Sequence, residues 1–142
     1  MVWLILVATA GGIAVALQAQ MMGVLDKGLG TLESVFITYG LGAALVGVAM
    51  LAVRGGNLAA WPTVPGFTLL SGIAGLVIVG SIGYSAPRLG LVAAMTVVVV
   101  AQFLTGAVLE HFGLLGTASR ALDTGRLAGI ACLLGGTWLL LR

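Results

Sequence analysis

The chain has 142 residues, 61% of them hydrophobic and only 7% charged, and a mean hydropathy of +1.23. That balance lies well outside the range of water-soluble globular proteins. Six Lys/Arg against four Asp/Glu give a net charge of +2 with no basic cluster, so the basic residues bear on membrane topology and not on nucleic-acid binding.

Five apolar stretches take up almost the whole chain, at about 2–22, 35–53, 67–84, 89–109 and 127–141. At ~1.5 Å rise per residue, ~20 residues cross the ~30 Å hydrocarbon core of a bilayer. Backbone in lipid must satisfy its own hydrogen bonds, so stretches this long and unbroken predict helices. Strands of a membrane barrel would be about half as long and would alternate apolar with polar. The pattern predicts an all-α, multi-pass membrane protein with five transmembrane helices, forming a single domain over residues 1–142.

The first span contains Ala8-Thr9-Ala10, which resembles a signal-peptide cleavage site. It has no positively charged leader, and the apolar run continues to Met22, so it reads as a span and not as a removed signal. The first break, from Leu25 to Glu33, is glycine-rich and carries three charges, Asp26, Lys27 and Glu33. The second runs from Arg54-Gly55-Gly56 past Trp61-Pro62 to Pro65, ending one helix on glycine and starting the next after proline. Ser85-Ala86-Pro87-Arg88 is the tightest break. The last connection, Glu110 to Arg126, is the longest and most polar, and Asp123 or Thr124 is placed to cap the fifth helix.

Small residues recur at helical spacing: Ala8, Gly12 and Ala16 on span one, Gly40, Ala43, Ala44 and Gly47 on span two, and Ala128, Cys132 and Gly136 on span five. In lipid such rows permit close backbone approach between helices. Trp3, Trp61, Tyr84 and Trp138 lie in breaks or near span ends, as interfacial anchors do. Cys132 is the only cysteine, which excludes an intrachain disulfide and a thiolate metal site.

Polar side chains inside the spans carry most of the functional information: Gln18 and Gln20 on span one, Thr38 and Tyr39 on span two, and Thr96, Gln102 and Thr105 on span four. A buried amide has donors and acceptors that lipid cannot meet, so it must face another helix or a wet cavity. Gln18 shares a helical face with Gly11, Ala14 and Met22, a slim surface able to border a cavity, and Gln102 and Thr105 lie three residues apart. Gln18, Met22, Gln102 and Thr105 are therefore the candidate substrate-lining residues, with plain interhelical hydrogen bonding as the competing role. The acidic residues all lie at or beyond span ends. Glu33 opens span two and Glu110 closes span four, followed by His111, which makes these two the candidates for coupling transport to an ion. Asp26 and Asp123 read as solvated.

There is no glycine-rich phosphate loop, zinc-ligand spacing or serine–histidine–acid set, so the chain is not expected to be an enzyme, to bind a metal or to carry a cofactor.

Leu17-Gln18 in span one, Pro87-x-Leu89-Gly90 before span four, Gln102 within it, Glu110-His111-Phe112-Gly113-Leu114-Leu115-Gly116 after it, and Arg126-x-x-Gly129 together resemble the YdcZ-type family. These are small bacterial five-helix proteins regarded as inner-membrane exporters within the drug/metabolite transporter superfamily. The resemblance covers essentially the whole chain. Its most specific part is the acid-His-Phe-Gly-x-x-Gly stretch followed by Arg126. The chain departs from the family pattern in having Glu110 where Asp is usual, and Met22 where Asn tends to follow the span-one glutamine. Ten-helix members of the superfamily are similar to two five-helix halves inserted in opposite orientations. The resemblance therefore implies half of a ten-helix transporter fold, sited in the cell inner membrane.

The expected function is export of a small organic solute by a secondary transporter subunit that works by alternating access as a dimer. Its partners would be the solute, the lipid bilayer, and an antiparallel copy of itself or a homologous five-helix chain. A non-transporting assembly protein and a small dual-topology channel are the alternatives. Counting by span parity, Arg54, Arg120 and Arg126 fall on the N-terminal side of the membrane and Lys27, Arg88 and Arg142 on the other. That balance removes the bias that normally fixes orientation and predicts insertion both ways.

Overall fold

The computed structural model describes residues 1–142, and the only regular structure in it is helix. Five α-helices follow in order: α1 (Val2–Leu29), α2 (Thr31–Ala52), α3 (Ser71–Leu89), α4 (Leu91–Phe112) and α5 (Thr124–Leu140). By length and apolar composition Val2–Leu29, Thr31–Ala52, Gly66–Leu89 and Leu91–Phe112 are able to cross a bilayer. α5 is apolar but has 17 residues, so it reaches about 25 Å, short of a ~30 Å hydrocarbon core.

Helices run further than the apolar stretches do. The polar break expected between Leu25 and Glu33 is helical except at one residue, Gly30, with φ 108° and ψ 163°. Gly28 costs its helix about 1 kcal/mol relative to alanine and does not end it. The break expected at Ser85–Arg88 lies inside α3, which continues to Leu89. Pro87 frees only the carbonyl of Gly83 four residues back, and the buried Ala86 before it holds the helical conformation that a following proline disfavours. The helical conformation is broken instead at Gly90, with φ 87° and ψ 146°. Gly30 and Gly90 are thus alike: each is a lone residue between two helices, in a conformation open essentially to glycine alone.

α2 ends on Arg54 in the left-handed region, with the Gly55 N–H donating to the Met50 carbonyl at 2.7 Å. Two short 3-10 turns, Leu58–Thr63 and Gly66–Leu70, then lead to α3. The expected N-cap of the last helix is present: the Asp123 carboxylate accepts from the Arg126 N–H at 2.8 Å.

Contacts group the chain into two compact units, Met1–Arg88 and Leu89–Arg142. In the first, one packed knot joins α1, α2 and α3. Ala19, Met22, Gly23 and Asp26 are its buried residues on α1, Ser34 on α2, and Ile82, Gly83 and Ala86 on α3. The spacing on α1 is that of one helical face. Glycines let the backbones close in: a Cβ on Gly23 would sit 3.6 Å from Pro87 Cδ, and one on Gly83 would sit 3.0 Å from Met22 Cε. Ser34 is fully buried and its hydroxyl donates to the Met22 carbonyl at 3.2 Å. Further along, the Tyr39 hydroxyl covers Gly75 where a Cβ would clash. The row Ala8-Gly12-Ala16 takes no part, and a Cβ on Gly12 would meet nothing within 4 Å.

In the second unit α4 and α5 run antiparallel. Glu110 meets Arg126 at one end of the pair, while Met95 and Thr96 share a groove with Thr137 and Leu140 at the other.

A candidate substrate pocket between α4 and α5

Gln102, Gly106 and Glu110 follow at intervals of four and so line one face of α4. Together with Arg126, Gly129 and apolar neighbours on both helices they line an open pocket of about 670 Å³. Its width comes from missing side chains, since a Cβ on Gly106 or Gly129 would meet nothing within 4 Å. Phe103, Ile130 and Leu133 make the walls apolar. Gln102 lies two turns from Glu110, about 12 Å along the helix axis.

At the mouth, the Arg126 guanidinium donates through Nη1 to Glu110 Oε2 at 2.8 Å, with the two side chains 30% and 41% exposed. Each charge sits at the unfavourable end of its own helix. Glu110 is in the last turn of α4, where the macrodipole disfavours an acid, and Arg126 is in the first turn of α5, where it disfavours a cation. Pairing offsets both penalties. A local rule broken twice at one spot is characteristic of a functional site.

The connection between these residues is wound back onto the end of α4. Gly113 caps the helix in the left-handed conformation, and Leu115 and Gly116 also have positive φ. Thr117 Oγ1 donates to the Leu109 carbonyl at 2.9 Å, and the Arg120 N–H donates to the Glu110 carbonyl at 2.8 Å. Ser119 Oγ donates to the His111 carbonyl, and His111 Nδ1 accepts from the Leu122 N–H, each at 3.4 Å. These bonds satisfy carbonyls that a helix end leaves open. The Glu110–Gly116 stretch therefore works as a C-terminal cap that delivers α5, and Arg126 with it, to Glu110. His111 is a fastening in that loop.

The other residues singled out from sequence lie elsewhere. Thr105 is exposed and off the pocket, because a residue three positions from Gln102 turns to the side of the face away from Glu110. Gln18 is exposed on α1, and Met22 is buried at 2% in the α1–α2–α3 knot, filling space beside Gly83. Glu33 is exposed at the start of α2, its carboxylate folded back over Gly30, beside a shallow recess lined by Leu29, Leu32, Phe36 and Ile37.

The expectation that Asp26 is solvated is wrong. Its side chain is 4% exposed, accepts from Thr31 Oγ1, and takes a 2.9 Å bond from Arg88 Nη1. Arg88 also donates to the Tyr84 carbonyl at 2.6 Å and lies 3.7 Å over the Tyr84 ring. Arg126 is the site residue that sequence reasoning left without a role, although its set distance from the Glu110 stretch was the available signal.

No curated protein and no solved structure matches the chain. A family described as "Putative inner membrane exporter, YdcZ" matches residues 3–139, nearly the full length. The motif carried by the α4 cap and by Arg126 belongs to a chain with helices built for a bilayer, and this chain is a member of the YdcZ family.

Proposed function

We propose that the protein is a subunit of a secondary exporter for a small organic solute, sited in the cell inner membrane, with the α4–α5 pocket as its share of the binding site. The observation that carries this reading is the pocket itself. In an otherwise apolar helix pair it gathers an amide, a carboxylate and a guanidinium around space left open by glycine. The family's description as an exporter supports the same reading. All five helices cross the bilayer, the 17-residue α5 with little tilt and with the bilayer thinned around it. One chain is half of the working unit, and an antiparallel second copy completes a site that runs from Gln102 near the middle of α4 to the ion pair at its end and opens alternately to the two sides. Glu110 is the coupling carboxylate, and Gln102 contacts the solute.

Flux measurements on the purified protein in lipid vesicles test this. Gradient-driven uptake of a solute that is lost in Gln102→Leu, with expression and dimerisation near normal, is the expected result. Thr105→Val, which alters no pocket wall, should transport normally. An uncoupled ion current would make the protein a channel. Neither flux nor current, with assembly lost in Gln102→Leu, would reduce the amide to helix packing.

A further inference from the structure

The Glu110–Arg126 pair has polar capacity that the chain does not use. Its single internal hydrogen bond runs from Nη1 to Oε2. A guanidinium carries five N–H donors and a carboxylate two acceptor oxygens, so four donors and Oε1 remain. Both side chains are partly exposed at the pocket they line. Closing the pocket around a ligand removes the water that serves these groups, and the ligand must then serve them or the closure is costly.

Three ligand chemistries meet that demand differently. A lone cation can reach Oε1 but is set against the Arg126 charge. A lone anion can reach the guanidinium but competes with Glu110 for it. An uncharged solute leaves both charges under-bonded in a desolvated site. A solute with an ammonium and a carboxylate on one carbon satisfies both partners, and brings no net charge to a pair that has none. The remaining wall is apolar, formed by Phe103, Ile130 and Leu133, and about 670 Å³ leaves room for a body of aromatic size.

We infer that the α4–α5 pocket takes a zwitterionic solute of the apolar amino-acid type, its charged head on Glu110 and Arg126 and its apolar body along Phe103, Ile130 and Leu133. The inference rests on the transport reading above and names the substrate class of that same site.

Calorimetric titration of the full-length protein in lipid nanodiscs tests it with three probes of one shape: L-phenylalanine, phenethylamine, which lacks the carboxylate, and 3-phenylpropionate, which lacks the ammonium. L-phenylalanine should bind about tenfold or more tighter than either analogue, since each analogue forfeits a charge-assisted contact. Glu110→Gln and Arg126→Gln should each erase that preference, and the exchanged variant Glu110→Arg/Arg126→Glu should restore it. Gly106→Leu leaves the pair intact and fills the pocket, with open space where its Cβ enters, so it should abolish binding of all three probes in a folded protein. Binding of either analogue as tight as that of L-phenylalanine overturns the zwitterion class. If that binding is still lost in Gly106→Leu, the pocket stands as the transport site. Absence of binding by all three probes overturns the class as well, and vesicle flux of another solute that persists in Gly106→Leu overturns the pocket with it.

Discussion

Asp26 reaches Thr31 and Arg88 from the last turn of α1, where the helix dipole disfavours an acid. It is held there because the two partners arrive from α2 and α3, so one carboxylate fastens three helices around the Met22–Gly83 contact. Asp26→Ala should lower the unfolding temperature of the purified protein in detergent, and Asp26→Asn, which keeps an acceptor for Thr31, should lower it less. Equal stability in all three proteins would remove Asp26 from the packing account. Glu110 has the same dipole disadvantage but a more open pair. Glu110→Gln should abolish any pH-gradient dependence of vesicle transport. Asp123→Asn, which keeps an N-cap oxygen for Arg126, should leave that dependence intact and change stability by only a few tenths of a kcal/mol. The sequence distinguished these acids poorly. Asp26 finds Arg88 62 positions away, a separation that no local pattern encodes, whereas Glu110 and Arg126 stand 16 positions apart across one capping loop and were legible as a motif. Gln102 drew notice because an amide in an apolar helix is conspicuous, and it lines the α4–α5 pocket. Thr105 lies off that pocket and Met22 is buried against α3, since a three-residue spacing does not secure a shared pocket and a methionine fills space as readily as it lines it.

Helix ends depend on backbone chemistry more than on hydropathy. The apolar stretches indicate which residues face lipid, and that fixed the number and order of the helices. The helices then run on through charged and glycine-containing residues until the backbone has to turn. The helical path breaks at Gly30, one of several glycines in a glycine-rich break, and at Gly90, which closes the Pro87-x-Leu89-Gly90 motif. At such φ and ψ a side chain costs about 1–3 kcal/mol. Gly30→Ala and Gly90→Ala should each destabilise the protein by that amount, while Gly28→Ala, within α1 and with nothing within 4 Å of its Cβ, should stabilise it by up to about 1 kcal/mol. Denaturation of the three variants in matched micelles compares them directly. If Gly30→Ala proves neutral, the single-residue joint is not where the chain turns. The rows of small residues read from sequence on α1, α2 and α5 remain uncovered within their units. The tight approaches occur instead at Gly23, Gly75 and Gly83, because packing depends on which faces meet and not on composition alone.

On the scale of the whole chain, orientation depends on six basic residues. Span parity divides them three against three, and the ion pairs take one from each side, Arg88 with Asp26 and Arg126 with Glu110. Two unpaired cations per side remain, Arg54 and Arg120 against Lys27 and Arg142, so the balance survives the pairing. Fusions of the C-terminus to a cytoplasm-active and to a periplasm-active reporter should both give signal. Two lysines added after Met1 should drive the population toward one orientation and lower transport. A single active reporter in the unmodified chain would end the dual-orientation proposal and leave a homologous five-helix chain as the antiparallel partner.

The lone glycine between α1 and α2 also bears on biosynthesis. With no loop at Gly30, the charged residues Asp26, Lys27 and Glu33 lie within the ends of two helices and not on a free segment between them. Each helix satisfies its own backbone in lipid, but α1 and α2 are tied through a single residue and by the bond from the Ser34 hydroxyl to the Met22 carbonyl. A tie that short leaves the end of α1 and the start of α2 little freedom to move apart, so insertion of one helix constrains where the other can begin.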